Sequence, residues 1–379
     1  MLISFKREFD RETGENLKDR IVEILNELKK MDVHAVACIS DNASNVQLAL
    51  EKALDEVGLI PCNCLAHTGQ LLLKDVCELW SSLFAKANDV EKFFRNTHYA
   101  RTMYIAEMDR IKGATLLRHP GDTRWGSQVT MMQSVVDNRV CVENTLSALR
   151  REGYQSDQFN TLGWVWVRHF WEEMEHLLKL ATHLVGYVIS AEGNNSTAAS
   201  SLDSYIRLRD HITEVANDLP TKEAKKVREI LASRDNQFFT NWSCLSHLLH
   251  PSFRGQALTA PQRRDTIDFL RTKAWQLLCP DSAPPSVSTI QEWIDFTGAF
   301  RDASKFTDKE VCPFAFWSVF SDSPLAMVGK CFSCLPSSSA SVERVWSSAA
   351  FQVNERERLS IDNLGKEVYI RWNVKALDS

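Results

Sequence analysis

The sequence predicts an α/β region followed by a long all-helical region and a short carboxyl-terminal block. Three observations carry this. Residues 1–84 alternate helix-period segments with short apolar runs. Residues 85–310 keep helical periodicity while strand signals fade. Residues 311–379 return to short, closely spaced apolar stripes. A chain of 379 residues, 44% of them hydrophobic, supports two or three domains, which these changes of texture divide at 84/85 and 310/311.

The elements follow in order. Leu17, Ile21, Ile24, Leu25 and Leu28 recur at three- and four-residue steps, which predicts a helix over 15–30. Val33 to Ile39 is a nearly continuous apolar run, as expected of a buried strand in a parallel sheet. Asp41 stands just past its end. A second helix starts at once, with Asn42 or Ser44 as its cap and Ala43, Val46, Leu50, Leu54 and Val57 as its inner face. Gly58 ends it. Leu59 to Cys62 is a second extended segment, and 64–80 a third helix with Leu65, Leu72, Leu73, Val76 and Trp80 turned inward. Sites in sheets of this kind gather at the carboxyl ends of strands, which is the address of Asp41.

Further on, helices are predicted at 84–112, 127–151, 159–190, 202–217, 221–234 and 260–278. Loops are predicted at 190–197 and at the Pro- and Ser-rich stretch 279–288. Ser337, Ser338 and Ser339 offer caps for a helix whose apolar stripe is Val342, Val345, Trp346, Ala349 and Ala350. A final unit begins at Arg356, with Leu364, Val368, Ile370 and Trp372 as its apolar face.

A net charge of −5 argues against coating nucleic acid by bulk electrostatics and leaves a local basic groove open. Met1 to Lys6 is charged too soon for a secretory signal, and no run has the roughly 20 apolar residues of a membrane span. With ten cysteines, the expectation is an intracellular protein with reduced thiols. Cys331 and Cys334 have metal-pair spacing but no second pair follows, so two buried thiols are expected.

Asp41 and Glu343 are the candidate catalytic residues. Two-metal phosphoryl transfer uses carboxylates to hold divalent ions about 3.5–4 Å apart. The plainer readings are an Asx cap for Asp41 and a first-turn, dipole-favoured glutamate for Glu343. Four motifs give these acids a context. In order they are Asp41-Asn-Ala-Ser-Asn45, Cys62-Asn-Cys-Leu-Ala-His67, Asp122-Thr-Arg-Trp-Gly-Ser127 and Ser339-Ala-Ser-Val-Glu-Arg-Val-Trp-Ser347. Leu249-His-Pro-Ser-Phe-Arg254 and Arg356-Glu-Arg-Leu-Ser360 complete the series.

This succession resembles the hAT superfamily of DNA transposases over residues 15–375. The resemblance implies a ribonuclease-H-like core, here partial, interrupted by a large helical insertion. Asp41 matches the family's second catalytic acid and Glu343 its third, together holding magnesium or manganese in an active enzyme. Arg124 and Trp125 match the Arg-Trp pair associated with holding DNA and a flipped base; a half-buried anchor is the other reading of Trp125. Cys64 and His67 match a Cys-x-x-His motif. With Cys62 they offer three zinc ligands and no fourth, so a packing and hydrogen-bonding role near the active site is expected. Residues 356–360 match the dimerisation region, making a second copy of the chain the expected partner through 311–379. DNA is a further candidate partner, a membrane is not, and nuclear location follows from the family's work on DNA.

The chain departs from the pattern in one respect. Glu8, Asp10 and Glu12 lie in a polar stretch, so the first acid has no counterpart and the core's first strands are expected to be truncated. A zinc-finger module ahead of them is likewise not expected. The expectation is therefore a transposase-derived protein, a decayed or domesticated transposon product, that dimerises without autonomous catalysis. The rivals are an active metal-dependent transposase completed by further residues, and a non-catalytic DNA-binding regulator. The last would use Arg207, Arg209, Lys222, Lys225, Lys226 and Arg228, which the interspersed acids make look like a solvated helix face.

Overall fold

The computed structural model describes residues 13–33, 35–121, 125–306, 312–342 and 344. Several expectations lie outside them: the extended start at Leu2 to Phe5, Asp122 to Arg124, Glu343, and everything from Val345 onward, including the 356–360 motif.

The first five elements are α1 (Gly14–Lys30), β1 (Ala37–Ser40), α2 (Ser44–Val57), β2 (Ile60–Asn63) and α3 (Leu65–Glu78). Thr13 caps α1 by accepting from the Asn16 amide at 3.3 Å. β1 and β2 pair in parallel, with Ala37 opposite Ile60, Cys38 opposite Pro61, Ile39 opposite Cys62 and Ser40 opposite Asn63. They form a two-stranded sheet among the described residues. β1 starts four residues later than the apolar run that predicts it, and its residues are half-buried rather than buried. Its cover is a small cluster in which Cys38, Ile21, Leu25 and Val46 pack on Leu50, Ala53 and Leu59.

The expected cap of α2 needs correcting. Ala43 holds the cap position and makes no side-chain bond. The Asn42 amide is directed elsewhere, donating to Thr68 Oγ1 at 3.0 Å. The buried face of α2 is Ala49, Leu50 and Ala53, while Val57 at its end is 43% exposed. Gly58 does end the helix, at φ 73° with its N–H on the Leu54 carbonyl, a left-handed conformation that suits glycine.

The helical region is more finely cut than its periodicity suggests. It begins with α4 (Ser81–Asn96), α5 (His98–Met108), α6 (Trp125–Asp137), α7 (Arg139–Arg151), α8 (Asp157–Thr161) and α9 (Arg168–Ala191). Then come α10 (Ala198–Val215), α11 (Thr221–Phe238), α12 (Asn241–Leu249), α13 (Ala260–Phe269) and α14 (Trp275–Leu278). The helix predicted over 84–112 breaks at Thr97, whose backbone is extended. The one over 127–151 breaks at Asn138. Its side chain accepts from the Thr115 amide and donates to the Ser134 carbonyl, both at 2.7 Å, competing with the helical ladder. The one over 159–190 opens as α8 and a tight turn at 162–166 before α9 begins. Three elements follow that the sequence reading did not resolve: α15 (Val287–Asp295), α16 (Pro313–Val319) and α17 (Ala326–Phe332). No helix among the described residues is long and apolar enough to cross a membrane.

By contact the chain forms two compact units. One comprises Met1–Thr68, Ile189–Ile206 and Asn236–Ser379; the other comprises Gly69–Val188 and Arg207–Asp235. This partition follows packing, whereas the divisions at 84/85 and 310/311 follow sequence texture.

The first unit holds the sheet and a separate aromatic core. Trp293 and Trp317 are fully buried with ring centroids 4.5 Å apart. Their indole N–H groups donate to the Leu248 carbonyl at 2.8 Å and the Leu249 carbonyl at 3.0 Å. Those are carbonyls at the end of α12, which its own ladder leaves unpaired. Gly329 lies so close to the Trp317 ring that a Cβ there would sit 2.3 Å from it. The second unit is built on Phe93, Phe94, Tyr104, Leu146 and Trp171, all buried. Asp75 and Arg234 form a two-pronged ion pair in it, at 2.7 and 2.6 Å.

Candidate functional site

Asp41 follows β1 directly and precedes the first turn of α2, so the strand delivers its carboxylate to the carboxyl edge of the sheet. The side chain is exposed. Its Oδ1 accepts from the Ala43 amide at 3.4 Å, a long bond that anchors the carboxylate only weakly. The backbone is held better. The Asp41 carbonyl accepts from Gln47 Nε2 at 2.9 Å and from the Ser40 hydroxyl at 3.0 Å. Beside it, Asn42 Oδ1 is buried with no hydrogen-bond partner, an uncommon state for an amide oxygen.

The Cys-His motif lies next to this edge. The Cys64 amide donates to the Ser40 carbonyl at 2.8 Å. Its Sγ, almost fully buried, accepts from the amides of His67 at 3.4 Å and Ser339 at 3.5 Å. Thr68 ties in the same corner, taking the Asn42 amide and donating its hydroxyl to the Cys64 carbonyl at 3.1 Å. Burial pushes the Cys62 thiol up to about 12, which leaves it a poor thiolate ligand. Among the described residues no three His, Cys, Asp or Glu side chains converge as a metal group.

A strap over 335–344 crosses the motif. Ser337 is its centre. The Ser337 carbonyl accepts from the Leu65 amide at 2.8 Å, its amide donates to the Ser196 carbonyl, and its hydroxyl donates to the Ala191 carbonyl at 2.7 Å. Pro336 bridges to Thr197. Helical backbone begins at Ala340, so Ser339 holds the cap position among the three expected serines. Arg344 donates to the Glu192 carbonyl at 3.3 Å and to Asn194 Oδ1 at 2.6 Å. Glu343 and Arg124 lie outside the described residues. Magnesium, which the resemblance implies, therefore finds one described carboxylate, Asp41, with the orphaned Asn42 oxygen beside it. That is less than the donor set of a two-metal site.

Trp125 opens α6 and is partly buried, its ring edge-on to Phe84 at 5.4 Å. The Leu249 to Arg254 landmark is a tight turn. His250 is buried, with Nδ1 accepting from the Ser252 amide at 3.2 Å. His247, fully buried, faces Asp203 Oδ1 at 3.4 Å. Arg254, at φ 49°, lies 3.8 Å over the Phe296 ring and donates to the Pro251 and Ile294 carbonyls. The basic face suggested for a DNA-binding regulator is largely paired. Arg209 meets Asp235 at 3.0 Å, Lys225 meets Glu229 at 3.8 Å and Arg228 donates to Asn217 at 2.7 Å. Cys331 and Cys334, expected buried, are half-exposed.

Sequence reasoning missed the residues that brace the site: Gln47, Thr68, Ser337 and the Arg344–Asn194 pair. Their partners are up to 272 residues away or sit in loops, where periodicity carries no signal.

No family model matches the chain. Over 138 residues, 36% of this chain and 19% of the relative, it is 27% identical to the Transposable element Hobo transposase of Drosophila melanogaster. The chain is thus distantly similar to a transposase. The aligned part spans 19% of that protein's length.

Proposed function

We propose that this chain is a transposase-derived protein of hAT type that acts by association of its copies through 311–379. The observation that carries the assignment is the position of Asp41, past the end of a strand in a parallel β–α–β unit. The similarity to the Hobo transposase and the order of the six motifs support it. On this reading residues up to 84 belong to a ribonuclease-H-like core, 85–310 to a helical insertion, and Arg124 and Trp125 to a DNA contact in a nuclear protein. Cys64 braces the junction between the β1 edge and the approach to Glu343.

Autonomous DNA cleavage is not the proposed activity. Magnesium or manganese, when held by enough carboxylates, activates the attacking oxygen and stabilises the leaving one. The chain offers Asp41 and Glu343, while Glu8, Asp10 and Glu12 lie in a polar stretch. Sedimentation velocity of the full chain tests the association. A dimer that becomes monomeric in a Leu364→Asp, Val368→Asp variant is expected, and a monomeric parent protein at micromolar concentration overturns the proposal.

The exposed carboxylate of Asp41 favours a second reading, metal-dependent nucleolysis. It requires cleavage of duplex DNA with magnesium or manganese that disappears in both Asp41→Ala and Glu343→Ala. Cleavage untouched by these substitutions rules it out.

A further inference from the structure

A surface that the reading above does not use lies on the second compact unit, where α5 and α7 meet the turn at 162–166. Glu107, Arg110, Ser147, Arg150, Arg151 and Trp166 line an open depression of about 660 Å³. The single carboxylate there is occupied: Glu107 accepts from Asn144 at 2.7 Å and from Arg110 at 3.5 Å. Arg150 and Arg151 have no carboxylate partner among the described residues, so they leave two uncompensated guanidinium charges in a chain of net charge −5.

Trp166 gives these charges a neighbour of a different kind. Its Nε1–H donates to Ser147 Oγ at 3.2 Å, fixing the indole, and the Arg150 guanidinium lies 5.3 Å from the ring centroid. Trp166 is nevertheless 37% exposed. A fixed, exposed indole beside guanidiniums that no carboxylate neutralises is suited to a ligand with flat apolar faces and a repeating negative charge. A second pocket, of about 250 Å³, also draws on α5: Glu91 there meets Arg95 at 3.2 Å and His119 at 3.3 Å, which among the described residues leaves Arg101 as its unneutralised charge beside Phe94, Tyr104 and Leu116. Between Arg95 and His119 the chain carries five Arg or Lys against two Asp or Glu, the reverse of its overall balance.

We propose that this α5–α7 face binds single-stranded nucleic acid, with a base stacked on Trp166 and backbone phosphates on Arg150 and Arg151. A duplex hides its base faces in the stack and would engage only the arginines. An acidic peptide would do the same. The indole therefore selects an unpaired strand. The inference stands on this surface alone and does not depend on the association through 311–379.

Fluorescence anisotropy with a labelled oligothymidylate, a duplex of equal charge and polyglutamate, using the full chain, tests it. The single strand is expected to bind most tightly. Trp166→Ala should weaken it about tenfold, within the range for loss of one base–aromatic stack. Arg150→Ala, Arg151→Ala should reduce the slope of log affinity against log salt by about 1.4, as two phosphate contacts on a single strand require. Arg207→Ala, Arg209→Ala should change neither. No binding at low salt overturns the proposal. So does equal affinity for polyglutamate, or a salt slope unchanged in the arginine variant. Because both arginines are exposed, that variant keeps the fold and the test holds even if Trp166→Ala is destabilised.

Discussion

Cys64 and Ser339, separated by 275 positions, meet in a single hydrogen bond: the Ser339 amide donates to the buried Cys64 sulfur at 3.5 Å. Because the Cys64 amide also holds the Ser40 carbonyl, one residue links the β1 edge beside Asp41 to the strap leading toward Glu343. Cys64→Ala removes an acceptor from two partly buried amides and is expected to cost about 1 kcal/mol, read by urea unfolding. Cys64→Ser, which keeps an acceptor, should cost less. An alanine variant as stable as the parent would show that the sulfur is not holding the corner.

Asp41 should behave in the opposite way. It is exposed and its side chain makes one long bond, so Asp41→Asn is expected to change stability by no more than about 0.5 kcal/mol. A larger loss in thermal unfolding would mean that Asp41 is a structural cap rather than a residue kept for chemistry.

Gly329 has no room for a side chain against Trp317. Gly329→Ala must displace a ring whose N–H holds the Leu249 carbonyl, and should cost about 1–3 kcal/mol by overpacking. Calorimetry decides, and an unchanged melting temperature refutes the tight α16–α17 packing.

His250 gives a pH signature. Burial first, and the neighbouring His247 second, push its pKa down to about 4 from 6.5, against a smaller opposing effect of Asp203. The folded state therefore keeps His250 neutral where the unfolded chain binds a proton. Stability should fall as pH drops from about 6.5 toward 4, by up to about 3 kcal/mol from this group. His250→Asn, which preserves an acceptor for the Ser252 amide, should flatten this part of the curve. An identical acid limb in the variant would exclude His250 as its source.

Much of the first unit's α/β portion was legible because its periods are clean. The 15–30 stripe became α1 over Gly14–Lys30, and Gly58 stopped α2 as its chemistry requires. The cap of α2 was misread because Asn42 answers to Thr68, a partner in another helix that local pattern does not reveal. The long helices were over-extended because Thr97 and Asn138 are tolerated in a periodic pattern yet break it through backbone geometry and side-chain competition. The aromatic core of α15 to α17 escaped notice since those helices are seven to nine residues long, too short to display a period. For the candidate site, the address of Asp41 was readable, whereas the Cys64–Ser339 contact required the tertiary fold.

The strap over 335–344 also bears on how the chain matures. Its partners lie at Ser196, Ala191 and Leu65, so its contacts close loops of roughly 140 to 275 residues. Closing such loops is entropically costly and is rewarded only once the intervening chain is compact. During synthesis, α1 to α3 emerge long before Ser337 leaves the ribosome, and the amide of Leu65 must wait for it. The β1 edge with Asp41 is thus completed late, and a ribosome stalled before residue 335 would carry a nascent chain whose Cys64 sulfur still lacks its contact with Ser339.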